Sequence, residues 1–329
     1  MSSALATRSL DSFAIFDSDE FVSGYQGLVT IQPLNKTKRR GWFLRKKNLE
    51  TCKWTAKESD FDKGSVIWNY EHTFVGSSTP DVGLNFIAPR LQVLLRSPLL
   101  IEETGNNPAG SRLIIGTFND DECKELWDAD KAAADTSKPG TYSRKYGVRT
   151  KMLVYLLTKD NQRAHDIPIV LTLKGLNSTD FSDKIKMFEQ EMSNSLNKAL
   201  GKEVPLQHNE KFYGTTVFCP KLVSDMRGSN GTEICAIEEF DIPDYSSKEA
   251  AIESLHKFSI PNEDRETSWK FQKSYENYIM IHSKQTSIDT NGMYALKGGV
   301  EILPENRTQA KVEVLPPSRD QKTGEDLSF

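Results

Sequence analysis

Residues 146–174 of the chain read YGVRTKMLVYLLTKDNQRAHDIPIVLTLK. Val148–Thr158 and Ile167–Lys174 are runs rich in aliphatic and β-branched residues, and the polar sequence Lys159–Gln162 lies between them. Runs of this length and composition, bounded by turn residues, are typical of strands. The stretch therefore predicts two strands joined by a turn.

A long helix is predicted directly after these strands, because apolar residues recur there at steps of three or four and share one stripe. They are Phe181, Ile185, Phe188, Met192, Leu196 and Leu200. Gly201 is a suitable helix stop. Two more strands are predicted beyond it, Lys211–Val223 and Thr232–Phe240, with a hairpin signal at residues 227–231.

On the N-terminal side, Arg112–Phe118 has the composition of a strand and Asp120–Asp135 that of a helix. With Arg112–Phe118 as the first strand, the order strand, strand, strand, helix, strand, strand matches the five-stranded oligonucleotide-binding (OB) barrel. The Asp120–Asp135 helix would be an insertion. The expected fold is α+β and β-rich, an OB-like antiparallel barrel with an N-terminal β-rich extension and peripheral helices. Other α+β folds share these elements, and that alternative stays open.

The expected organisation has five segments. Residues 1–12 form a flexible N-terminus, and residues 13–100 form a β-rich region with many basic and aromatic residues. Residues 101–280 form the OB-like core and its C-terminal helices. Residues 281–302 connect this core to a polar, proline-punctuated flexible tail at residues 303–329.

The composition excludes several classes of protein. The chain is 37% hydrophobic and 27% charged, which is enough for a folded core. Its longest apolar run, Met152–Leu157, is too short to cross a membrane, and the N-terminus lacks the apolar core of a signal peptide. The cysteines (Cys52, Cys123, Cys219 and Cys235) are too far apart in sequence to predict a disulfide framework or a zinc site. We expect a reduced, cytoplasmic protein.

Positive charge is concentrated in two segments, although the whole chain carries −4. Residues 36–57 hold nine Lys or Arg and one acid, and residues 136–159 hold six Lys or Arg and no acid. The two segments therefore carry +8 and +6, which leaves −18 for the rest of the chain. Localised basic segments in an acidic chain indicate a specific site for a polyanion.

The first basic segment also holds aromatic residues, and this combination indicates contact with single-stranded nucleic acid. Cations neutralise phosphates, and aromatic faces stack on unpaired bases. The candidate residues are Lys36, Lys38, Arg39, Arg40, Trp42, Phe43, Arg45, Lys46, Lys47, Lys53 and Trp54. The alternative is a solvated basic hairpin whose Trp residues point into the core. Trp42 and Phe43 are expected on opposite sides of a strand.

The second basic segment runs from a loop into a predicted barrel strand. Its candidate residues are Tyr142, Arg144, Lys145, Tyr146, Arg149 and Lys151. In OB folds the second and third strands and the adjacent loops form the usual ligand face, so tyrosines among cations would suit stacking and backbone contacts. The alternative is an edge strand that its lysines protect from aggregation.

The C-terminal sequence Gly324–Phe329 reads GEDLSF. This acidic run with an aliphatic residue and a final Phe resembles the C-terminal tip of bacterial and phage single-stranded-DNA-binding proteins. The resemblance covers six residues, with fewer acids than that family usually shows. It implies that Asp326, Leu327 and Phe329 bind replication and repair proteins.

Sequence motifs for enzymes are missing. There is no G-x-x-x-x-G-K-[ST], G-x-G-x-x-G, H-E-x-x-H or G-x-S-x-G, and the five histidines are isolated. Carboxylates at residues 17–20, 71 and 120–122 could form a two-metal site for phosphodiester cleavage, although such clusters more often begin helices or lie in solvated loops.

The leading hypothesis is a non-enzymatic protein without a cofactor that binds single-stranded nucleic acid, DNA rather than RNA. It would coat or protect strands and recruit replication, recombination or repair partners through its C-terminal tip. Two alternatives stay open, a metal-dependent nuclease that uses the same basic residues and a phage- or plasmid-type structural assembly protein. RNA binding and self-association also stay open.

Overall fold

The computed structural model describes residues 28–35, 40–74, 77–103, 114–138, 141, 144–227 and 231–275, and the backbone of residues 276–281, 287–288 and 294–295. The chain divides into two compact units, Met1–Thr286 and Ser287–Phe329. In the second unit, Ser287–Ile288 and Tyr294–Ala295 form a short antiparallel pair. The first unit holds every other element described below.

A nine-stranded mixed sheet is the centre of the first unit. Its strands are β1 (Thr30–Leu34), β2 (Gly41–Arg45), β3 (Val66–His72), β4 (Asp81–Phe86), β5 (Arg90–Arg96), β6 (Leu100–Glu103), β7 (Ile114–Thr117), β8 (Tyr146–Leu157) and β9 (Ile169–Lys174). The order across the sheet is β3-β4-β2-β1-β9-β8-β6-β7, and β5 also pairs with β8. Strands β1 and β9 are parallel, and the other pairs are antiparallel.

Strand β8 is the longest strand of this sheet, and its C-terminal half, residues 152–157, is buried on both faces. Met152, Val154 and Leu156 belong to one hydrophobic cluster, and the alternating residues Leu153 and Tyr155 belong to another. Such alternation follows from the two-residue period of a strand. Strands β5 and β6 share one edge of β8, because β5 pairs with its C-terminal half and β6 with its N-terminal half.

Ser97 lies in the break between β5 and β6. Its backbone N–H donates to the Lys151 carbonyl oxygen at 2.8 Å, and the Lys151 N–H donates to the Ser97 hydroxyl at 2.9 Å. The hydroxyl therefore replaces a carbonyl that the ladder lacks at this point. This substitution gives the Lys151 N–H an acceptor where the partner strand of β8 is interrupted.

The remaining elements cover the two faces of the sheet. They are α1 (Asp121–Thr136), α2 (Leu176–Ala199), α3 (Glu210–Tyr213), β10 (Pro220–Arg227), β11 (Thr232–Phe240), α4 (Lys248–Lys257) and α5 (Asn262–Ile281). Helix α2 and the β10–β11 hairpin pack against the face that carries Met152 and Val154, and α4 packs on α2. Helix α5 packs on the opposite face, where Phe271 contacts the cluster of Leu153 and Tyr155. No helix in the described ranges is both long and apolar enough to cross a membrane.

Most predicted elements beyond residue 112 are confirmed. The strands β8 and β9, the helices α1 and α2 and the strand β11 lie where the sequence predicts them, and α4 and α5 are helices at the C-terminal end of the expected core. The prediction of one strand over Lys211–Val223 is wrong. Asn209 accepts a hydrogen bond from the Lys211 N–H at 3.1 Å and caps the short helix α3, so the strand begins only at Pro220.

The fold is α+β and strand-rich, as expected, but no closed barrel is found among the described residues. The helix α2 does lie between two antiparallel pairs, as the OB order requires. Strand β9, however, pairs in parallel with β1 from the N-terminal region, and β10 pairs only with β11. The N-terminal strands and the expected core therefore share one sheet.

Candidate nucleic-acid interface

One part of the sheet presents polar and basic side chains on the face opposite to the one that the apolar stripe of α2 covers. The parallel register places Thr30 beside Val170, and the antiparallel registers place Gln32 beside Phe43, Lys151 beside Thr172 and Arg149 beside Lys174. Paired and alternate residues share a face of a sheet. We define the polar face by the residues Thr30, Gln32, Arg45, Arg149, Lys151, Thr172 and Lys174.

Two adjoining concavities lie on the polar face. The larger has a volume of about 460 Å³ and is lined by residues that include Arg149, Lys151 and Lys174. The smaller has a volume of about 390 Å³ and is lined in part by Arg45. Both are also lined by Thr30 and Gln32. The polar face is therefore one continuous concave surface that spans β2, β1, β9 and β8.

The charge of the polar face is partly balanced. Arg149 forms an ion pair with Glu102, which is 1% exposed, and Arg45 forms one with Asp81 at 3.2 Å. Lys151 and Lys174 are the other two cations of the polar face. The surface is therefore rich in cations, which attract phosphate groups.

Lys151 is the most enclosed amine of the polar face. Burial lowers the pKa of its ammonium group, the nearby charge of Arg149 lowers this pKa further, and Glu102 opposes both effects. A phosphate that approached the concavity would supply the opposite charge and favour the protonated amine. The electrostatics of Lys151 therefore suit an anionic ligand.

Arg40, from the first basic segment, is not part of this surface. Its guanidinium group is buried, forms an ion pair with Glu233 and donates to the Ser224 hydroxyl at 2.8 Å. Because Ser224 and Glu233 belong to β10 and β11, Arg40 joins β2 to that hairpin. Burial lowers the pKa of Arg40. Lys36, Lys38 and Arg39 lie outside the described residues.

The aromatic rings of the first basic segment lie in the core. Trp42 packs on Phe181 with ring centroids 5.8 Å apart, and Phe43 lies within 6.2 Å of the Tyr70 ring. Trp42 and Phe43 are each 1% exposed. The two residues face opposite sides of β2, as expected, but both sides are covered. Neither ring can stack on a base while it occupies this position.

Trp54 is half-buried in a second aromatic cluster. Its ring is nearly parallel to those of Phe61 and His165, with centroids 6.0 and 5.9 Å away, and its indole N–H donates to the Ala56 carbonyl at 2.8 Å. The indole also packs against the larger hydrophobic core cluster. The alternative interpretation, in which the Trp residues point inward, therefore describes Trp54 as well.

The remaining lysines of the first segment are exposed. Lys46 and Lys47 begin a single 3₁₀ turn directly after Arg45, and Asn48 of that turn lines the smaller concavity. Lys53 is also exposed and has a positive φ of 53°. The turn places Lys46 and Lys47 next to the edge of the polar face.

The second basic segment divides between two locations. Arg149 and Lys151 belong to the polar face. Arg144 forms an ion pair with Asp130 at 3.1 Å, and its guanidinium carbon lies 3.7 Å from the centroid of the Trp127 ring. Lys145 is exposed, and Tyr146 is half-buried. Arg144 thus anchors α1 near the start of β8, and Tyr142 lies outside the described residues.

Sequence reasoning missed Thr30, Gln32, Thr172 and Lys174. In β9 the residues Ile169, Leu171 and Leu173 are buried, whereas Thr172 is half-buried and Lys174 is exposed. This period-two pattern is the signal of a strand with one apolar and one polar face. It could have placed Thr172 and Lys174 on the same face as Arg149.

The carboxylate groups considered for a metal site do not assemble in the described part of the chain. No group of three His, Cys, Asp or Glu side chains there could hold a metal ion. Asp120 accepts a hydrogen bond from the Thr117 N–H at 2.7 Å, and Asp121 and Glu122 are exposed in the first turn of α1. Residues 17–20 lie outside the described residues.

A family model described as "Domain of unknown function (DUF5895)" matches residues 26–291. This match covers most of the chain and the whole polar face, so the chain belongs to this family. No curated protein and no solved structure matches the chain.

Proposed function

We propose that this member of the DUF5895 family binds single-stranded nucleic acid, DNA rather than RNA, on its polar face. The observation that carries the proposal is the convergence of Arg45, Arg149, Lys151 and Lys174, from three strands, on one continuous concavity. These residues come from both basic segments and from β9, and they are up to 129 positions apart in sequence. Cations that line one concave surface concentrate their electric field and attract a polyanion.

The neutral residues of the polar face suit a nucleic-acid backbone. Thr30, Gln32 and Thr172 carry hydroxyl and amide groups, which donate hydrogen bonds to phosphate oxygens. Adjacent strands are about 4.8 Å apart, so the four strands from β2 to β8 span about 14 Å. This width admits a short run of unpaired nucleotides. A closed OB barrel is not needed, because an open sheet face also serves as a platform for single strands.

The wider role follows the sequence-based expectation. We propose that the protein coats or protects strands in the cytoplasm and recruits replication, recombination or repair proteins through Asp326, Leu327 and Phe329. These three residues lie outside the described residues, so the resemblance of the C-terminal tip alone supports recruitment. All four cysteines are free thiols, which suits a reducing compartment.

The test is a salt titration of binding to a fluorescently labelled 20-nucleotide single strand, followed by anisotropy. We expect binding at about 50 mM salt and a linear fall of log K with log salt. The double variant Lys151→Ser/Lys174→Ser should reduce the slope by about 1.4, since each lost phosphate contact on a single strand contributes about 0.7.

The matched control is Lys186→Ser/Lys248→Ser. It removes two exposed lysines from α2 and α4, which cover the opposite face of the sheet. The overall charge change is identical, so the control should keep the wild-type slope. Absence of wild-type binding at about 50 mM salt, or equal slopes for the two double variants, would contradict the proposal.

A further inference from the structure

The larger concavity has the size and lining of a pocket for one nucleotide. Its volume of about 460 Å³ lies within the usual range for sites that enclose small organic ligands. Amide side chains line it together with the cations Arg149, Lys151 and Lys174 and the half-buried ring of Phe74. Cations suit a phosphate, and the Phe74 ring, which already packs against Phe43, His72 and the Arg45 guanidinium, gives the concavity an apolar wall. The amides are what could distinguish one base from another.

The amide of Asn177 has a fixed orientation. The Cys235 N–H donates to the Asn35 side-chain oxygen at 2.9 Å, and a backbone N–H can only donate, so this atom is an acceptor. The Asn177 group that lies 3.0 Å from the same oxygen must then be its NH₂. The NH₂ of Asn177 is therefore used by Asn35, and the side-chain oxygen of Asn177 is the remaining polar atom of this amide.

That oxygen has no hydrogen-bond partner in the described part of the chain, although Asn177 is only 4% exposed. A buried acceptor without a partner is costly and uncommon. Asn177 lines the larger concavity, but its side-chain oxygen is closed to solvent, so a donor brought by a ligand satisfies it once the amide shifts toward the concavity. The unsatisfied acceptor therefore points to a ligand with N–H groups.

Gln32 lies at the middle of the polar face and lines both concavities. It is half-buried, and its amide forms no hydrogen bond within the described ranges. A glutamine or asparagine amide matches the adjacent donor and acceptor on the edge of adenine, its N6 amino group and N7. The amide of Gln32 is therefore placed to contact a base rather than to support the fold.

We infer that the larger concavity binds one unpaired adenine nucleotide, with Gln32 and Asn177 contacting the base edge and Lys151 and Lys174 contacting its phosphate. The inference rests on the proposed function and adds base preference to it. Phosphate contacts carry no sequence information, so a preference for adenine over thymine would have to come from the amides.

The experiment compares the affinities of the full chain for (dA)10 and (dT)10, which carry the same number of phosphates. The ratio of the two affinities is measured for the wild type, for Gln32→Leu and for the control Gln162→Leu, which changes an exposed glutamine in the β8–β9 connection. Adenine strands stack on themselves, which changes their affinity equally for every variant. Dividing the affinity ratio of a variant by that of the wild type removes this contribution.

We expect Gln32→Leu to lower the (dA)10/(dT)10 affinity ratio by about fivefold or more, which is the lower bound for one good bidentate base contact. Gln162→Leu should keep the wild-type ratio. Melting temperatures of both variants verify folding, and Gln32→Asn serves as a second variant that keeps an amide and should retain part of the preference.

Two results separate the inference from the proposed function. Salt-dependent binding of both strands with a ratio that Gln32→Leu leaves unchanged would overturn the adenine site and leave single-strand binding intact. An equal loss of affinity for both strands would likewise overturn base reading. If the wild type bound neither strand at about 50 mM salt, both the inference and the proposed function would fail.

Discussion

The aromatic residues of the first basic segment, Trp42, Phe43 and Trp54, pack into the hydrophobic core rather than lying open on the surface. Trp42 and Phe43 are covered on opposite sides of β2, and Trp54 packs against the rings of Phe61 and His165. Burying such side chains contributes a large share of core stability. Binding of a strand to the polar face should therefore leave the fluorescence of Trp42 and Trp54 nearly unchanged.

Trp54→Ala should lower the free energy of unfolding by about 3 kcal/mol, because it removes the stacking partner of Phe61 and His165 and leaves a cavity. Binding per folded molecule should stay at the wild-type level. Chemical denaturation measures the first quantity and anisotropy the second. Trp54→Phe keeps an aromatic ring in the cluster and should cost less.

The opposite pattern would show that the indole acts at the surface. If Trp54→Ala kept the wild-type stability but weakened binding by about 1–3 kcal/mol, the ring would be stacking on a base. That result would move the interface from the polar face toward Trp54.

At the level of secondary-structure elements, local patterns predict the strands and helices whose burial is periodic. The alternation in β8 and β9 and the stripe Phe181, Ile185, Phe188 and Met192 in α2 are visible in the sequence, and these four residues are buried. The first turn of α2 is not visible in this way. Asn177 and Asp180 there are buried polar residues, and Asp180 accepts a hydrogen bond from the Ile237 N–H at 2.8 Å. Hydrophobic periodicity carries no signal for such contacts, so the predicted apolar stripe begins later, at Phe181.

The connection between β8 and β9 depends on one neutral histidine. His165 is fully buried, its Nε2 accepts a hydrogen bond from the Leu156 N–H at 3.0 Å, and its Nδ1 donates to the Ile167 carbonyl at 2.8 Å. Burial lowers the pKa of His165 from 6.5 to about 4. Protonation of Nε2 would remove its lone pair and break the contact with Leu156.

The pH dependence of stability follows from this lowered pKa. Between pH 6.5 and 4 the unfolded chain binds a proton at His165 that the folded chain does not bind, so the free energy of unfolding falls as the pH falls. The contribution of His165 is fully present above pH 6.5, and up to about 3 kcal/mol is lost by pH 4.

Urea denaturation at pH 7, 6 and 5 tests this dependence. The stability difference between the wild type and His165→Gln should shrink as the pH falls, because only the wild type has the titrating ring. His256→Asn, which changes an exposed histidine in α4, should follow the wild-type curve. A difference that stays constant from pH 7 to pH 5 would show that His165 is not the responsible group.

At the level of the whole molecule, long-range pairing creates the candidate interface. Residues Thr30 and Ile31 pair in parallel with Val170 and Leu171, about 140 positions later in the chain. This pairing brings Arg45 and Lys151 onto one surface, although the sequence places them in separate basic segments. Periodicity predicts that a strand exists but not which strand it joins. The polar face could therefore be predicted only as two unconnected sets of cations.

The charge of the chain and the two concavities of the polar face together predict a preference for single strands over duplexes. An unpaired strand can place bases in the two concavities and phosphates beside Lys151 and Lys174. A duplex keeps its bases stacked inside and presents a convex surface of phosphates. It would therefore contact only exposed cations at the edge of the polar face, such as Lys46 and Lys47. The chain carries −18 outside the two basic segments, and this negative charge would repel a duplex more than a single strand, because a duplex has the denser negative charge.

We expect a 20-nucleotide single strand to bind at least about tenfold more tightly than the corresponding duplex at about 100 mM salt, since each inserted base contributes about 1–3 kcal/mol. Competition by either form against a labelled single strand measures the difference. The Lys151→Ser/Lys174→Ser variant should show a smaller difference, because it weakens the contacts that only the single strand makes. Equal or tighter binding of the duplex would show that flat contact with exposed lysines such as Lys46 and Lys47, rather than the concave polar face, holds the nucleic acid.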